Sequence, residues 1–232
     1  PLTSQQVKAV FACWLWGLLL FNTLITEARD IQIQADSTSL QNIIQQAQSG
    51  DSLLLAAGTY YGPLTIDKPL SLIGSQRAII DGKKDGHVIT ITASDVLIKN
   101  LHIQNSGNTP VTEDSGIFVT RETENVIINN NHLQDNLIGI YLKGAKSAQV
   151  RNNTIIGSQF HRMNDRGNGI YLWNAPGSVV ENNRIRYGRD GIFVTTSRDN
   201  IFKGNVMRDL RFAVHYMYTQ DSEVSNNVSI NN

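Results

Sequence analysis

The 232-residue chain balances 20 Lys and Arg against 20 Asp and Glu, for zero formal charge and a pI near 7.4. Such a balance supplies no global basic field for nucleic acid and no acidic bias toward disorder, so partners must be sought in local features. The length suits one or two ordinary domains or a single repeat solenoid, and composition does not choose between them.

In chain order, Lys8 precedes an apolar run from Ala9 to Ile25, which ends at Thr26-Glu27-Ala28. Small side chains two residues apart suit a signal-peptidase site, so residues 1–28 are expected to be an N-terminally incomplete export signal and 29–232 the mature domain. An uncleaved anchor is the rival, since roughly 17 to 25 apolar residues can span a bilayer. Asn22 inside the run favours cleavage. Cys13, the only cysteine, lies early in the run, with Phe11 where lipid attachment prefers a small residue. The mature chain then contains no cysteine, which is compatible with the periplasm.

Leu40 to Gln48 has helical spacing after Ser37-Thr38-Ser39 and ends near Gly50, which predicts a short capping helix. Early strands follow at Leu53-Leu54-Leu55, Leu64-Thr65-Ile66, Leu70 to Ile73, Ala78 to Ile80 and Val88 to Ile91, punctuated by Gly58, Gly62, Gly74, Gly82 and Gly86. From residue 95 a repeat takes over. A tetrad recurs as Gly116-Ile117-Phe118-Val119, Gly139-Ile140-Tyr141-Leu142, Gly169-Ile170-Tyr171-Leu172, Gly191-Ile192-Phe193-Val194 and Ala213-Val214-His215-Tyr216, in steps of 23, 30, 22 and 22 residues. A second motif keeps phase as Ile128/Asn131/Leu133, Val150/Asn153/Ile155, Val180/Asn183/Ile185, Phe202/Asn205/Met207 and Val224/Asn227.

The long step reflects a polar insert at Ser158 to Asn168, and a similar insert, Gly107 to Ser115, precedes the first tetrad. Each unit holds three short alternating runs separated by Asn, Gly and Asp and shows no helical spacing, which fits one coil of an all-β, right-handed, single-stranded parallel β-helix. Of the residues from Asn100 to Asn232, 21 are Asn. Their shared turn positions predict left-handed corners and coil-to-coil side-chain hydrogen bonding. Pro1 at the start and Asn231-Asn232 just after another repeat copy read as a segment of a longer chain, open at both ends.

Strand alternation points the first and third tetrad residues inward and sends two columns outward. The first is Phe118, Tyr141, Tyr171, Phe193 and His215; the second is Thr120, Lys143, Trp173, Thr195 and Met217. An outward aromatic stripe suggests a binding surface formed by Phe118, Tyr141, Tyr171, Trp173 and Phe193, or rings stacked beneath a loop. His215 and Met217 share one face within about 7 Å, so imidazole and thioether could bind one ion, Cu(I) by softness, or merely pack on aromatics. A third ligand could come from His161 or Met163 in the insert, or from another protein. Met207 reads as core. His87, His102 and His132 lack mutual spacing and receive no role.

Polysaccharide chemistry, the rival at the level of fold, needs paired carboxylates or a carboxylate calcium cluster. Asp135, Asp165, Asp190, Asp199 and Asp209 read as turn or insert residues, with no two on one outward column, so no catalytic constellation is evident.

The run Arg208-Asp209-Leu210-Arg211-Phe212-Ala213-Val214-His215-Tyr216-Met217-Tyr218-Thr219, then Asp221-Ser222-Glu223-Val224 and Asn227, resembles the NosD family of pectin-lyase-like β-helices. Gly58-Thr59-Tyr60-Tyr61-Gly62, Lys68-Pro69-Leu70, Ile80-Asp81-Gly82 and Gly188-Arg189-Asp190-Gly191-Ile192 extend the likeness over nearly the whole mature chain. The Gly and Asn motifs would fit many β-helices; His215-Tyr216-Met217-Tyr218 is the specific part. The resemblance implies a periplasmic, non-enzymatic assembly factor that handles copper, or a sulfur species, for the copper-sulfur centre of nitrous oxide reductase. It further implies association with the ATPase and permease of an ABC transporter, and delivery by a periplasmic copper carrier. Chains of this family are usually longer, so further coils, docking surfaces and ligands are expected beyond this segment.

Overall fold

Successive coils lay strands onto three parallel sheets of nine, seven and eight strands. The computed structural model describes residues 27–35, 39–75 and 77–232; the apolar run 9–25 with Cys13, and the expected export signal as far as residue 26, lie outside them. Among the described residues no helix is long and apolar enough to cross a membrane.

The tetrads stack in one register on the seven-stranded sheet. Ile117 pairs with Ile140, Ile140 with Ile170, Ile170 with Ile192 and Ile192 with Val214. Ile117, Ile140, Ile170 and Ile192 are fully buried, as are Val119, Leu142, Leu172 and Val194 two residues on, so period-2 alternation fills the core as expected. Met207 is likewise buried. Both inserts leave the coils as loops; the second contains one 3₁₀ turn, Met163–Asp165.

The corner between the nine- and eight-stranded sheets carries two asparagine columns with different work. Asn100, Asn130, Asn152, Asn182 and Asn226 hold φ between 55° and 58°, and Gly204 replaces asparagine in that column with φ 66°. A short side chain that tolerates the left-handed region turns the chain there. The following residues, Asn131, Asn153, Asn183, Asn205 and Asn227, point inward and form a ladder. Asn131 Nδ2 donates to Asn153 Oδ1 at 3.0 Å, Asn153 to Asn183 at 3.0 Å, Asn183 to Asn205 at 3.0 Å and Asn205 to Asn227 at 2.9 Å. Each Oδ1 also accepts the preceding asparagine's backbone N–H, and each second amide hydrogen goes to a strand carbonyl, as from Asn183 to Val150 O at 2.8 Å. Every polar valence of the Asn153, Asn183 and Asn205 amides is therefore used.

The helix expected from Leu40 spans Leu40–Gln46, two residues shorter than expected because Ala47 turns extended. It covers the first coils with Leu40 and Ile44. Gln41 pairs with the open edge of the seven-stranded sheet: Nε2 donates to Thr65 O at 3.2 Å and Oε1 accepts Thr65 N–H at 2.7 Å. A side-chain amide thus completes a strand edge that would otherwise invite pairing. Two strands lack a sequence signal of their own, Asp30–Ile33 and Gly58–Tyr61. In the second, flanking glycines read as turns, yet Gly58 is needed because a Cβ there would collide with Ala35. Tyr60 is buried, with its hydroxyl donating to Ile33 O at 2.8 Å.

Asn183→Ala strands buried donors and acceptors on both neighbouring coils and should cost about 2–4 kcal/mol, seen as a lower urea midpoint. Asn182→Gly, at a left-handed corner that glycine adopts freely, should stay within about 0.5 kcal/mol of the parent.

Candidate functional site

Strand register brings the outward residues of the tetrads into a column on the seven-stranded sheet: Phe118 beside Tyr141, then Tyr171, Phe193 and His215. Ring centroids follow one another at 5.3, 4.4, 4.8 and 4.8 Å, close to the spacing of the coils themselves. His87 heads the stack, 4.1 Å from Phe118 and within 11° of parallel. Periodicity could not find it, because Phe118 pairs with Thr90 in that coil and the His87 ring arrives from outside the strand. The ladder therefore runs from imidazole to imidazole.

Its middle is covered. Tyr141 is 1% exposed, while Phe118, Tyr171 and Phe193 are half-buried. Glu113 from the first insert pairs with Lys143 at 3.2 Å, and that ammonium lies 5.5 Å from the Tyr141 ring. Burial, and after it the Glu113 charge, pushes the Tyr141 and Tyr171 hydroxyls above the usual phenol range. Next to Tyr171 and Phe193 a cleft opens between the two inserts, lined also by Glu113, Asp165, Asn168 and Arg189. In the second outward column Lys143, Trp173, Thr195 and Met217 are paired in order, and the Arg121 guanidinium lies 4.9 Å from the Trp173 ring.

At the C-terminal end of the ladder sits a charged clamp. Asp190 is the first residue of strand Asp190–Thr195, rather than the turn residue expected, and its side chain is 2% exposed. Arg211 engages it bidentately, Nε to Oδ1 at 2.9 Å and Nη2 to Oδ2 at 2.6 Å. His215 Nδ1 lies 2.9 Å from Asp190 Oδ2 and 3.3 Å from Arg211 Nη2. The carboxylate only accepts, so the shorter contact is a hydrogen bond when Nδ1 carries the proton. That leaves the Nε2 lone pair uncommitted. Carboxylate-to-imidazole support of this kind fixes the tautomer of metal-binding histidines and raises their basicity. The period alone held a signal for this clamp, since Asp190 and Arg211 flank successive tetrads.

Met217 ends strand Phe212–Met217, two residues beyond His215 and half-buried. His161 and Met163 are exposed on the second insert, which belongs to the coil of Tyr171, two coils before His215. Arg166 ties that insert to itself and to Tyr187 O, through His161 O at 2.8 Å and Tyr187 O at 3.4 Å. None of its described contacts reaches His215. Among the described residues no three His, Cys, Asp or Glu side chains cluster in a metal-holding arrangement. His102 and His132, by contrast, are direct neighbours in the eight-stranded sheet, where the sequence showed no mutual spacing.

Solved structures with the same architecture include a polygalacturonase from Erwinia carotovora, at TM-score 0.67 and 14% identity over 88% of this chain and 71% of that one. Pectate lyase Pel9A matches at TM-score 0.64 and 15% identity over 86% and 61%. Such low identities speak for fold alone, and the chain is a pectin-lyase-like parallel β-helix. Residues 64–157 match the family described as a right handed beta helix region, and residues 151–232 match the family described as periplasmic copper-binding protein (NosD). Similar curated proteins are the probable ABC transporter binding protein NosD of Pseudomonas aeruginosa, 35% identical over 59% of this chain and 32% of that protein, and its namesake from Stutzerimonas stutzeri, 34% identical over 68% and 36%. Over residues 151–232 the chain is similar to NosD proteins, and it spans about a third of the length of those two relatives.

Asp190→Asn should release His215 from the Nδ1-protonated tautomer. Long-range proton–nitrogen spectra in alkaline buffer report this as a shift of the proton population toward Nε2. An unchanged spectrum would show that Asp190 does not set the tautomer.

Proposed function

We propose that this chain is a non-enzymatic, periplasmic copper-handling factor for nitrous oxide reductase maturation, with Cu(I) as cargo. It takes the ion from a periplasmic carrier and works with the ATPase and permease of an ABC transporter. The observation that carries this reading is the Asp190–Arg211 clamp on His215, inside the segment matched to a family described as copper-binding. With Nδ1 committed, Nε2 and the Met217 thioether are two soft, neutral ligands on one outward strand face. Two ligands hold an ion weakly enough to release it, and the distance of the second insert favours a partner protein, rather than His161 or Met163, as donor of a third. The names of the curated relatives support the transporter association.

Anaerobic competition against a Cu(I) chelator tests this. The parent should bind one ion at this site, His215→Ala/Met217→Ala should lose it, and Asp190→Asn should weaken it about 10- to 100-fold. Full retention of binding at that site by the double variant, with its β signal intact, would sink the assignment.

A second reading, a polysaccharide-binding or polysaccharide-cleaving β-helix, draws on the cleft between the inserts. Glu113 and Asp165 both line it beside the Tyr171 and Phe193 rings, and Arg189 Nε and Asn168 Oδ1 are buried there without a protein partner. Quenching of intrinsic fluorescence by acidic oligosaccharides, abolished by Arg189→Ala, would favour it over copper handling.

A further inference from the structure

The eight-stranded sheet carries a pair of imidazoles separate from the ladder. His102 begins strand His102–Gln104 and His132 begins His132–Gln134, and the two are paired residue to residue. Their side chains therefore leave adjacent coils from the same outward position. The ring centroids are 4.7 Å apart and the planes 75° apart. Both rings line a cleft together with Asn100, Asn130, Asn152 and Thr154.

The two ring nitrogens of type Nε2 are not equally satisfied. His132 Nε2 lies 3.2 Å from Gln134 Oε1, whereas His102 Nε2 is buried and has no hydrogen-bond partner. A buried polar atom left unpaired is costly, so its persistence calls for a functional or ligand-based explanation. Asp135 Oδ2 accepts from Gln134 Nε2 at 3.3 Å, and no hydrogen bond joins that carboxylate to His102 Nε2. Burial, and after it the neighbouring His132, holds the His102 imidazole below its ordinary titration range. A neutral imidazole is the form that binds a metal ion.

A metal–imidazole bond is about 2.0 Å long, so two nitrogens bound to one ion in line stand about 4 Å apart. Imidazoles leaving neighbouring strands, themselves about 4.8 Å apart, can meet that span once His132 turns from Gln134 toward His102. The set is neutral and nitrogenous, which suits a soft monovalent ion better than a divalent one that calls for carboxylates or more ligands. We propose that His102 and His132 form a two-imidazole site for a soft monovalent cation of the Cu(I) type. It lies on a different sheet from His215, with His102 four coils and His132 three coils before it, outside residues 151–232, and it stands independently of the assignment of His215 and Met217.

Silver(I), a redox-inert ion with the same coordination preference, provides the probe, followed by Cu(I) without oxygen. Long-range proton–nitrogen spectra of the full chain resolve its five histidines separately. On addition of Ag(I), the nitrogens of His102 and His132 should shift together and saturate together, and should do so equally in His215→Ala/Met217→Ala. His102→Gln/His132→Gln should lose one bound ion relative to the parent; His132→Gln alone, at the less constrained ring, serves if the double variant does not fold. Resonances of His102 and His132 unmoved at saturating Ag(I), or a bound stoichiometry unchanged in a folded variant, would overturn the site. Movement of His215 without His102 and His132 would overturn this site alone, and the reverse would overturn only the assignment at His215.

Discussion

A buried chain of asparagine amides holds the coils of this protein in step. Because Asn131, Asn153, Asn183, Asn205 and Asn227 bond side chain to side chain along the axis, a slip of one coil by a residue would break several interior hydrogen bonds at once. Such a slip would also turn every inward aliphatic residue to the outside. With the register secured, equivalent residues of successive coils must stack, whatever their chemistry. The aromatic ladder, the charged clamp and the imidazole pair are three outcomes of that single constraint.

Stacking gives the outer faces a property that isolated strands lack: a side chain acquires partners about 22 residues away at a fixed distance of one coil. Asp190 is buried, and a buried charge needs a hydrogen-bonded counter-charge. Arg211, one coil later, supplies it with both guanidinium contacts and leaves the second carboxylate oxygen shared with His215. Such a pair contributes little net stability because desolvation offsets the attraction; here its consequence is geometric, a ring held in one orientation at the end of a rigid ladder. The inserts act differently. They leave the solenoid at two coils, cover Tyr141 and enclose a cleft, so the column of outward rings is partly core and partly surface.

How much was legible follows from where periodicity survives. The tetrads share one spacing, and alternation within them assigned inward and outward faces that the burial of Ile117, Ile140, Ile170 and Ile192 bears out. Strand Gly58–Tyr61 escaped notice because glycines imposed by a close approach to Ala35 look the same as glycines imposed by turns. His102 and His132 stand 30 residues apart, the step that also separates Gly139 from Gly169, and an insert between them disguised one coil as an irregular distance. His87 sits outside any strand column, so no spacing rule applied to it.

By itself the sequence determined the coil, its inward and outward faces, the asparagine corners, the capping helix and the likeness to NosD proteins, because each depends on local alternation, turn chemistry or a recurring motif. Only the tertiary structure decided which outward residues meet. Whether Asp190 is a solvated turn residue or the anchor of His215, whether Tyr141 is exposed or covered, and whether two distant histidines touch all depend on stacking across coils and on the paths of the inserts. Those contacts join residues 21 to 30 positions apart, at separations that insert lengths shift without leaving a mark in any single repeat.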